Sequence, residues 1–254
     1  MRTPKFISRW ASTKQSRGSW DQRRRVRYEA LEDRRVLATY SDVAADVGLV
    51  LSHETAGPNP PFGSGSAWSD YDNDGDIDLY VTNNGGANRL YMNQGDTSGN
   101  GLPNFVDVAA TLGVDDPENF GHSAVFIDYD NDGDQDLFVT SWGSSNLFQN
   151  QLIESGAATF LDVTSSAGLV DDGRTITSGW ADFDQDGILD VYLARHKYQN
   201  TDFRADDILY RGTEDGTFED VTAWLGPAGS YPQANGLGFS PGWFDFDNDR
   251  DLDL

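Results

Sequence analysis

The sequence has 254 residues, with 18 Lys+Arg against 42 Asp+Glu, three His and no Cys, for a formal net charge of −24. The absence of thiols excludes a disulfide framework, thiolate zinc, iron–sulfur clusters and cysteine nucleophiles, and three scattered imidazoles leave little for a nitrogen-ligated metal. Any metal held here is held by oxygen, while 37% hydrophobic and 12% aromatic residues suffice for a core.

The charge is unevenly divided. Residues 1–35 hold 11 Lys+Arg and 4 Asp+Glu, whereas residues 36–254 hold 7 and 38. Such an acidic body repels phosphate backbones and anionic headgroups, so no nucleic-acid partner is expected, and it attracts cations. Residues 1–38 read as a disordered basic leader: Arg23–Arg27 is RRRVR, and no apolar run reaches the length of a secretory signal or a membrane-spanning segment. Within the leader, YEALEDRRVLA at Tyr28–Ala38 resembles the short EALE-x-R-x-L motif found near the start of many large planctomycete surface and exported proteins, with Asp33 where that motif usually has Pro. The resemblance implies export.

From residue 39 to 254 the chain is a repeat array. In chain order, YSDVAADVG at Tyr40 precedes DYDNDGDIDL at Asp70, whose last residues open the apolar run Asp78–Thr82, followed by NRLYMNQG at Asn88 and FVDVAATLG at Phe105. The same succession returns as Ser123–Ile127, DYDNDGDQDL at Asp128 with Asp136–Thr140, NLFQNQ at Asn146 and FLDVTSSAG at Phe160. It returns again as Ser178–Ala181, DFDQDGILDV at Asp182 with Asp190–Ala194, DILYRGTEDG at Asp207 and FEDVTAWLG at Phe218, and a last acidic segment, DFDNDRDLDL, starts at Asp245. Runs rich in β-branched and aromatic residues, divided by Gly, Asn and Asp, predict about four short strands in each of about four units. The expected fold is all-β, a β-propeller without helices in its body. The array stops directly after its fourth acidic segment, which reads as an incomplete propeller.

Carboxylates at alternate positions of a loop turning at Gly point inward together, and uncompensated they repel by about 1 kcal/mol per pair even in water. A hard divalent cation resolves this, and Ca2+, with six to eight oxygen ligands and tolerance of loop flexibility, suits it better than Mg2+. Counting from each first Asp, side chains are expected to ligate from positions 1, 3, 5 and 9, and a backbone carbonyl from position 7. These are Asp70, Asp72, Asp74 and Asp78 with the carbonyl of Asp76; Asp128, Asp130, Asp132 and Asp136 with that of Asp134; and Asp182, Asp184, Asp186 and Asp190 with that of Ile188. The fourth set is Asp245, Asp247, Asp249 and Asp253 with the carbonyl of Asp251, and it is the doubtful one because Arg250 replaces the Gly of position 6. An EF-hand is excluded, since its position-12 Glu is Val81, Val139 or Leu193 here. The Asp residues of the FxDV segments, Asp42, Asp107, Asp162 and Asp220, are expected to cap turns.

The acidic loops, the FxDVTxxxG segments and the NRLY-type segments together resemble FG-GAP/VCBS-type repeats, more narrowly those of cartilage acidic protein and bacterial ASPIC/UnbV-containing proteins. The resemblance covers residues 40–254 and implies a propeller related to the integrin α-subunit head, with calcium in blade loops; the role expected is adhesion or partner recognition at the cell surface.

Catalysis is not expected. His53, His122 and His196 have no His at the matching places of other units, and the paired Asp are already explained as metal ligands. Recognition is expected instead from loops that differ where the scaffold repeats: Asn83–Gly86, Ser141–Gly143 and Arg195–Tyr198, in which Trp142 and Tyr198 would contact a protein or carbohydrate ligand at the cell surface. Trp68 and Trp180, with Phe126 and Phe244 taken as their counterparts, read as core or between-blade residues. The alternative function is the non-catalytic propeller region of a larger secreted hydrolase or carbohydrate-active enzyme.

Overall fold

Each of the first three acidic segments is the turn of a β-hairpin. In the computed structural model, which describes residues 41–51, 63–171, 174–195, 207–226 and 240–254, β1 (Ser66–Ser69) runs antiparallel to β2 (Asp78–Val81), with Ser69 facing Asp78 across the loop. β3 (Arg89–Asn93) and β4 (Phe105–Asp107) complete a four-stranded antiparallel meander. The second sheet repeats this with β5 (Gly121–Ile127), β6 (Asp136–Ser141), β7 (Asn146–Asn150) and β8 (Phe160–Asp162). The third consists of β9 (Thr175–Ala181), β10 (Asp190–Arg195), β11 (Ile208–Gly212) and β12 (Phe218–Asp220). The fourth unit is a single bridge between Phe244 and Asp253, so the described residues form three complete blades and the start of another. The described residues from Asp42 onward belong to one unit, Asp42–Leu254, and the leader assigned to 1–38, with its export motif, lies outside the described residues.

Pleating decides which residues hold successive blades together. On β6, Leu137 and Val139 point into a cluster with Tyr71, Tyr80 and Leu90 of the first sheet, while Phe138 between them joins Val191, Leu193 and Tyr210 of the third. β6 is therefore buried along both faces, which is why its sequence, DLFVTS, does not alternate with polar residues. Full burial of each such side chain is worth about 1.5–3 kcal/mol. Polar ties run in parallel: Thr82 Oγ1 donates to the carbonyl of His122 (3.2 Å) and Thr140 Oγ1 to that of Ile176 (3.0 Å), each crossing to the next blade.

The aromatic residue two places before each acidic loop packs onto the preceding blade. Phe126 stacks on Tyr71 (6.5 Å), Trp180 meets Phe138 edge-on (5.2 Å), and Trp243 stacks on Phe183 (5.9 Å). This corrects the fourth counterpart: Trp243 holds the position, and Phe244, one residue on, faces solvent. Trp68 has the same place in the first blade, has no described blade before it, and is 56% exposed.

The body is not free of helix. α1 (Ala109–Leu112) follows β4, α2 (Leu152–Ser155) follows β7, and Thr222–Leu225 forms a 3-10 turn. α1 and the 3-10 turn grow from FxDV segments, where the Asp side chain accepts the amide two residues on: Ala44 to Asp42, Ala109 to Asp107, Thr164 to Asp162 and Thr222 to Asp220. Such caps start a turn in segments too short for a periodic pattern. The segment 42–51 docks on the first blade as 163–168 docks on the third: Phe105 N–H donates to the Val47 carbonyl, and Phe218 N–H to that of Ala167, both at 2.8 Å.

Candidate metal centre

All four acidic loops share one backbone path. Position 4 is left-handed at Asn73, Asn131, Gln185 and Asn248 (φ 55–64°), and position 6 at Gly75, Gly133, Gly187 and Arg250 (φ 84–102°). Arg250 thus adopts the turn expected only of Gly, at a cost of order 1–3 kcal/mol. The amides of positions 5 and 6 donate to the position-1 carboxylate in three loops: Asp74 and Gly75 to Asp70, Asp186 and Gly187 to Asp182, Asp249 and Arg250 to Asp245.

Position 9 closes the loop. Asp78, Asp136 and Asp190 are fully buried, and each accepts one amide from position 2 and one from the end of the blade's third strand: Tyr71 and Asn93 for Asp78, Tyr129 and Asn150 for Asp136, Phe183 and Gly212 for Asp190, at 2.8–3.2 Å. Burial outweighs these bonds and raises Asp136 to about 8, Asp78 to about 7 and Asp190 to about 6.

Positions 1, 3 and 9 converge in every loop. One carboxylate oxygen from each of Asp70, Asp72 and Asp78 lies within 4.8 Å of the others, as do those of Asp128, Asp130 and Asp136, of Asp182, Asp184 and Asp190, and of Asp245, Asp247 and Asp253. Position 5 stands outside these trios; Asp74, Asp132, Asp186 and Asp249 each accept the amide of position 7 through Oδ1. A hard cation fits this donor set, and in the second loop Asp128 Oδ1, Asp130 Oδ1 and Asp132 Oδ2 are buried without a hydrogen-bond partner.

A fifth loop supplies an internal comparison. Between β3 and β4, Asp96 accepts the amides of Asn100 (3.0 Å) and Gly101 (2.7 Å), Asn100 accepts that of Leu102, and Gly99 and Gly101 are left-handed. This is the turn of the acidic loops built with one carboxylate, in the sequence DTSGNGLPN. A search for repeated Asp misses it; the pattern of Gly and side-chain oxygens at alternate positions would have found it. The turn itself therefore needs only its first Asp.

The order of strands, acidic hairpins and capped FxDV turns recurs blade after blade, and a model of the FG-GAP-like repeat matches residues 70–139, 128–193 and 182–254. The chain belongs to the FG-GAP-like repeat family. Cartilage acidic protein 1 of Mus musculus is 32% identical over 231 residues, covering 89% of this chain and 32% of that protein. The Homo sapiens protein of the same name is 30% identical over 231 residues (89% and 31%), and the Xenopus tropicalis one 30% over 225 (87% and 31%). The chain spans about a third of the length of these relatives.

The FG-GAP-like blades are not equivalent at their loops. The fourth residue of the third strand of each blade is Met92 on β3, Gln149 on β7 and Arg211 on β11. Arg211 donates from Nε to Asp184 and from Nη2 to Asp186, both at 2.5 Å, placing a guanidinium on positions 3 and 5 of the third loop. Position 7 differs as well. Asp134 was expected to offer only its carbonyl, yet its side chain is buried under α2 and accepts the Ile153 amide at 3.0 Å.

The expected recognition loops are only partly described. Trp142 lies between His122 (6.2 Å, edge-on) and the Arg174 guanidinium (5.6 Å), and Arg195 is buried beside Asp171. His122 is buried, with Nδ1 3.0 Å from the Thr175 carbonyl. His53, His196 and Tyr198 lie outside the described residues.

Proposed function

We propose that this chain is a calcium-stabilised, non-catalytic recognition module that works outside the cell. The comparison of loops carries the reading: Asp96–Asn104 makes the same turn with one carboxylate, so the additional Asp of the other loops, at positions 3 and 5, serve something besides the turn, and a cation accounts for them. Asp70, Asp72 and Asp78, and their counterparts in the other loops, would hold Ca2+, with the position-5 carboxylate and the position-7 carbonyl completing the set. Bound calcium neutralises the loop and fixes the two strands that leave it, so binding is coupled to folding.

Modules that use calcium in this way outside cells operate at about 0.1–1 mM free ion. The similarity to cartilage acidic protein 1 supports an extracellular setting, and the motif at Tyr28–Ala38 supports export. Among the described residues no helix is long and apolar enough to cross a membrane. The ligand class proposed is a surface protein or carbohydrate, met by the loops that follow the second strand of each blade. An array of matrix proteins and polysaccharides probed with the purified chain, with and without 1 mM calcium, tests this: calcium-dependent retention on one class supports it, and retention on none in either condition rejects it.

A further inference from the structure

The connection from α1 to β5, which joins the first blade to the second, contains VDDPEN at 114–119. Its Asp116 has φ +36°. The ring of a following proline pushes the preceding residue into extended backbone, and a residue with a side chain is strained in the left-handed region wherever it stands. The Asp116–Pro117 unit is thus held against both preferences, and breaking the peptide bond releases it.

The side chain gives the second, independent indication. Asn119 Nδ2 donates to Asp116 Oδ1 at 2.8 Å, while Oδ2 is buried with no hydrogen-bond partner. The charged groups that bear on it, Asp162 at the end of β8, Asp115 and Glu118, are all negative, and the other titratable group beside it is the Tyr80 phenol of β2, which donates to the Val114 carbonyl. Burial first, and these charges after it, raise the carboxyl above its ordinary value, so it keeps its proton at a higher pH than an Asp of an unfolded chain. The next connection supplies a contrast. Asp171 stands three residues after left-handed Gly168, as Asp116 stands three after left-handed Gly113. Asp171 Oδ2 accepts the hydroxyls of Ser145 (2.6 Å) and Thr175 (2.8 Å), its Oδ1 lies 3.5 Å from Arg195 Nε, and Asp172 rather than a proline follows it.

We propose that the chain cleaves its own Asp116–Pro117 peptide bond, once per molecule, in mildly acidic solution. The carboxyl proton of Asp116 passes to the Pro117 nitrogen, a carboxylate oxygen of Asp116 bonds to that residue's own backbone carbonyl carbon, and the C–N bond breaks with Pro117 leaving as a secondary amine. The five-membered cyclic anhydride left on Asp116 takes up one water and opens to a C-terminal aspartic acid. Water is the only co-reactant, and Pro117 and Glu118 are exposed to it. The two pieces stay together through contacts between the blades, among them Phe126 on Tyr71 and Thr82 on the His122 carbonyl, so the break is read under denaturing conditions.

The 254-residue chain is incubated between pH 4.5 and 7, folded and in 8 M urea, beside its Asp116→Ala and Pro117→Ala variants, and each sample is read by denaturing mass spectrometry. The expected result is fragments 1–116 and 117–254 from the unaltered chain only, formed about tenfold faster or more when folded than in urea, and up to a higher pH. The comparison with urea uses the unaltered chain and does not depend on how the variants fold. Equal rates folded and unfolded, undiminished cleavage in either variant, or a chain that stays intact throughout would overturn the proposal.

Discussion

Asn131 Nδ2 donates to the carbonyl of Gly187, 3.1 Å away, and so joins position 4 of the second acidic loop to position 6 of the third. One blade further on, Gln185 Nε2 makes the same bond to the carbonyl of Arg250 at 3.0 Å. The second, third and fourth loops are thus hydrogen-bonded in series. Removing such a bond costs about 1 kcal/mol, or roughly 2–4 °C in Tm for a chain of this size. Asn131→Ala and Gln185→Ala should each show that loss by scanning calorimetry, and two variants with unchanged Tm would mean the tether carries no load.

The third loop brings its own cation. Arg211→Met, which places the first blade's residue here, should raise calcium affinity at that loop by tenfold or more and make stability depend more steeply on calcium, because Asp184 and Asp186 lose their guanidinium. Isothermal titration of the variant against the unaltered chain reads both. Identical isotherms would show that Arg211 and calcium do not compete.

Position 9 sets the pH response. Asp78, Asp136 and Asp190 have folded pKa values above the unfolded carboxylate value of about 3.9, at about 7, 8 and 6. Their contribution to metal-free stability is complete below about pH 4 and is lost as the pH rises through 6 to 8. In EGTA the Tm should therefore fall between pH 5.5 and 8, while the increment added by calcium, which binds the ionised form, should grow over the same interval. A metal-free Tm that rises across that range would contradict the burial of these carboxylates.

Trp180 and Trp68 hold one repeat position with unequal burial. Trp180→Ala empties the contact with Phe138 and Phe218 and should cost about 3–5 kcal/mol. Trp68→Ala removes a ring that is 56% exposed and meets Phe105 at 6.5 Å, and should cost less than about 1 kcal/mol. Urea denaturation of both variants measures the difference, and equal losses would mean that Trp68 is also covered in solution.

These contrasts mark how far the sequence was legible. Four acidic segments in register disclose the hairpins, their spacing and the blade repeat, because each is a local turn with strong residue preferences. Convergence of positions 1, 3 and 9 was within reach of the same pattern. The capped turn after each FxDV segment was half legible: the Asp cap was expected, but a four-residue helix leaves no periodicity to read. Arg211 and Glu154 were out of reach, since each approaches its loop from another part of the blade, across 25 residues of chain in the pair Arg211–Asp186 and 154 − 132 = 22 in the pair Glu154–Asp132, and only the folded register brings them together. The burial of the Asp134 side chain was not legible, because α2 covers it and a helix inserted into one blade has no echo in the others.

Thermal unfolding of the purified chain in 1 mM calcium and in excess EGTA at pH 7.5 bears most directly on the proposal that the acidic loops are structural cation sites. The account predicts a Tm lower by 10 °C or more in EGTA, restored by calcium added back. A transition at the same temperature in both buffers would contradict it.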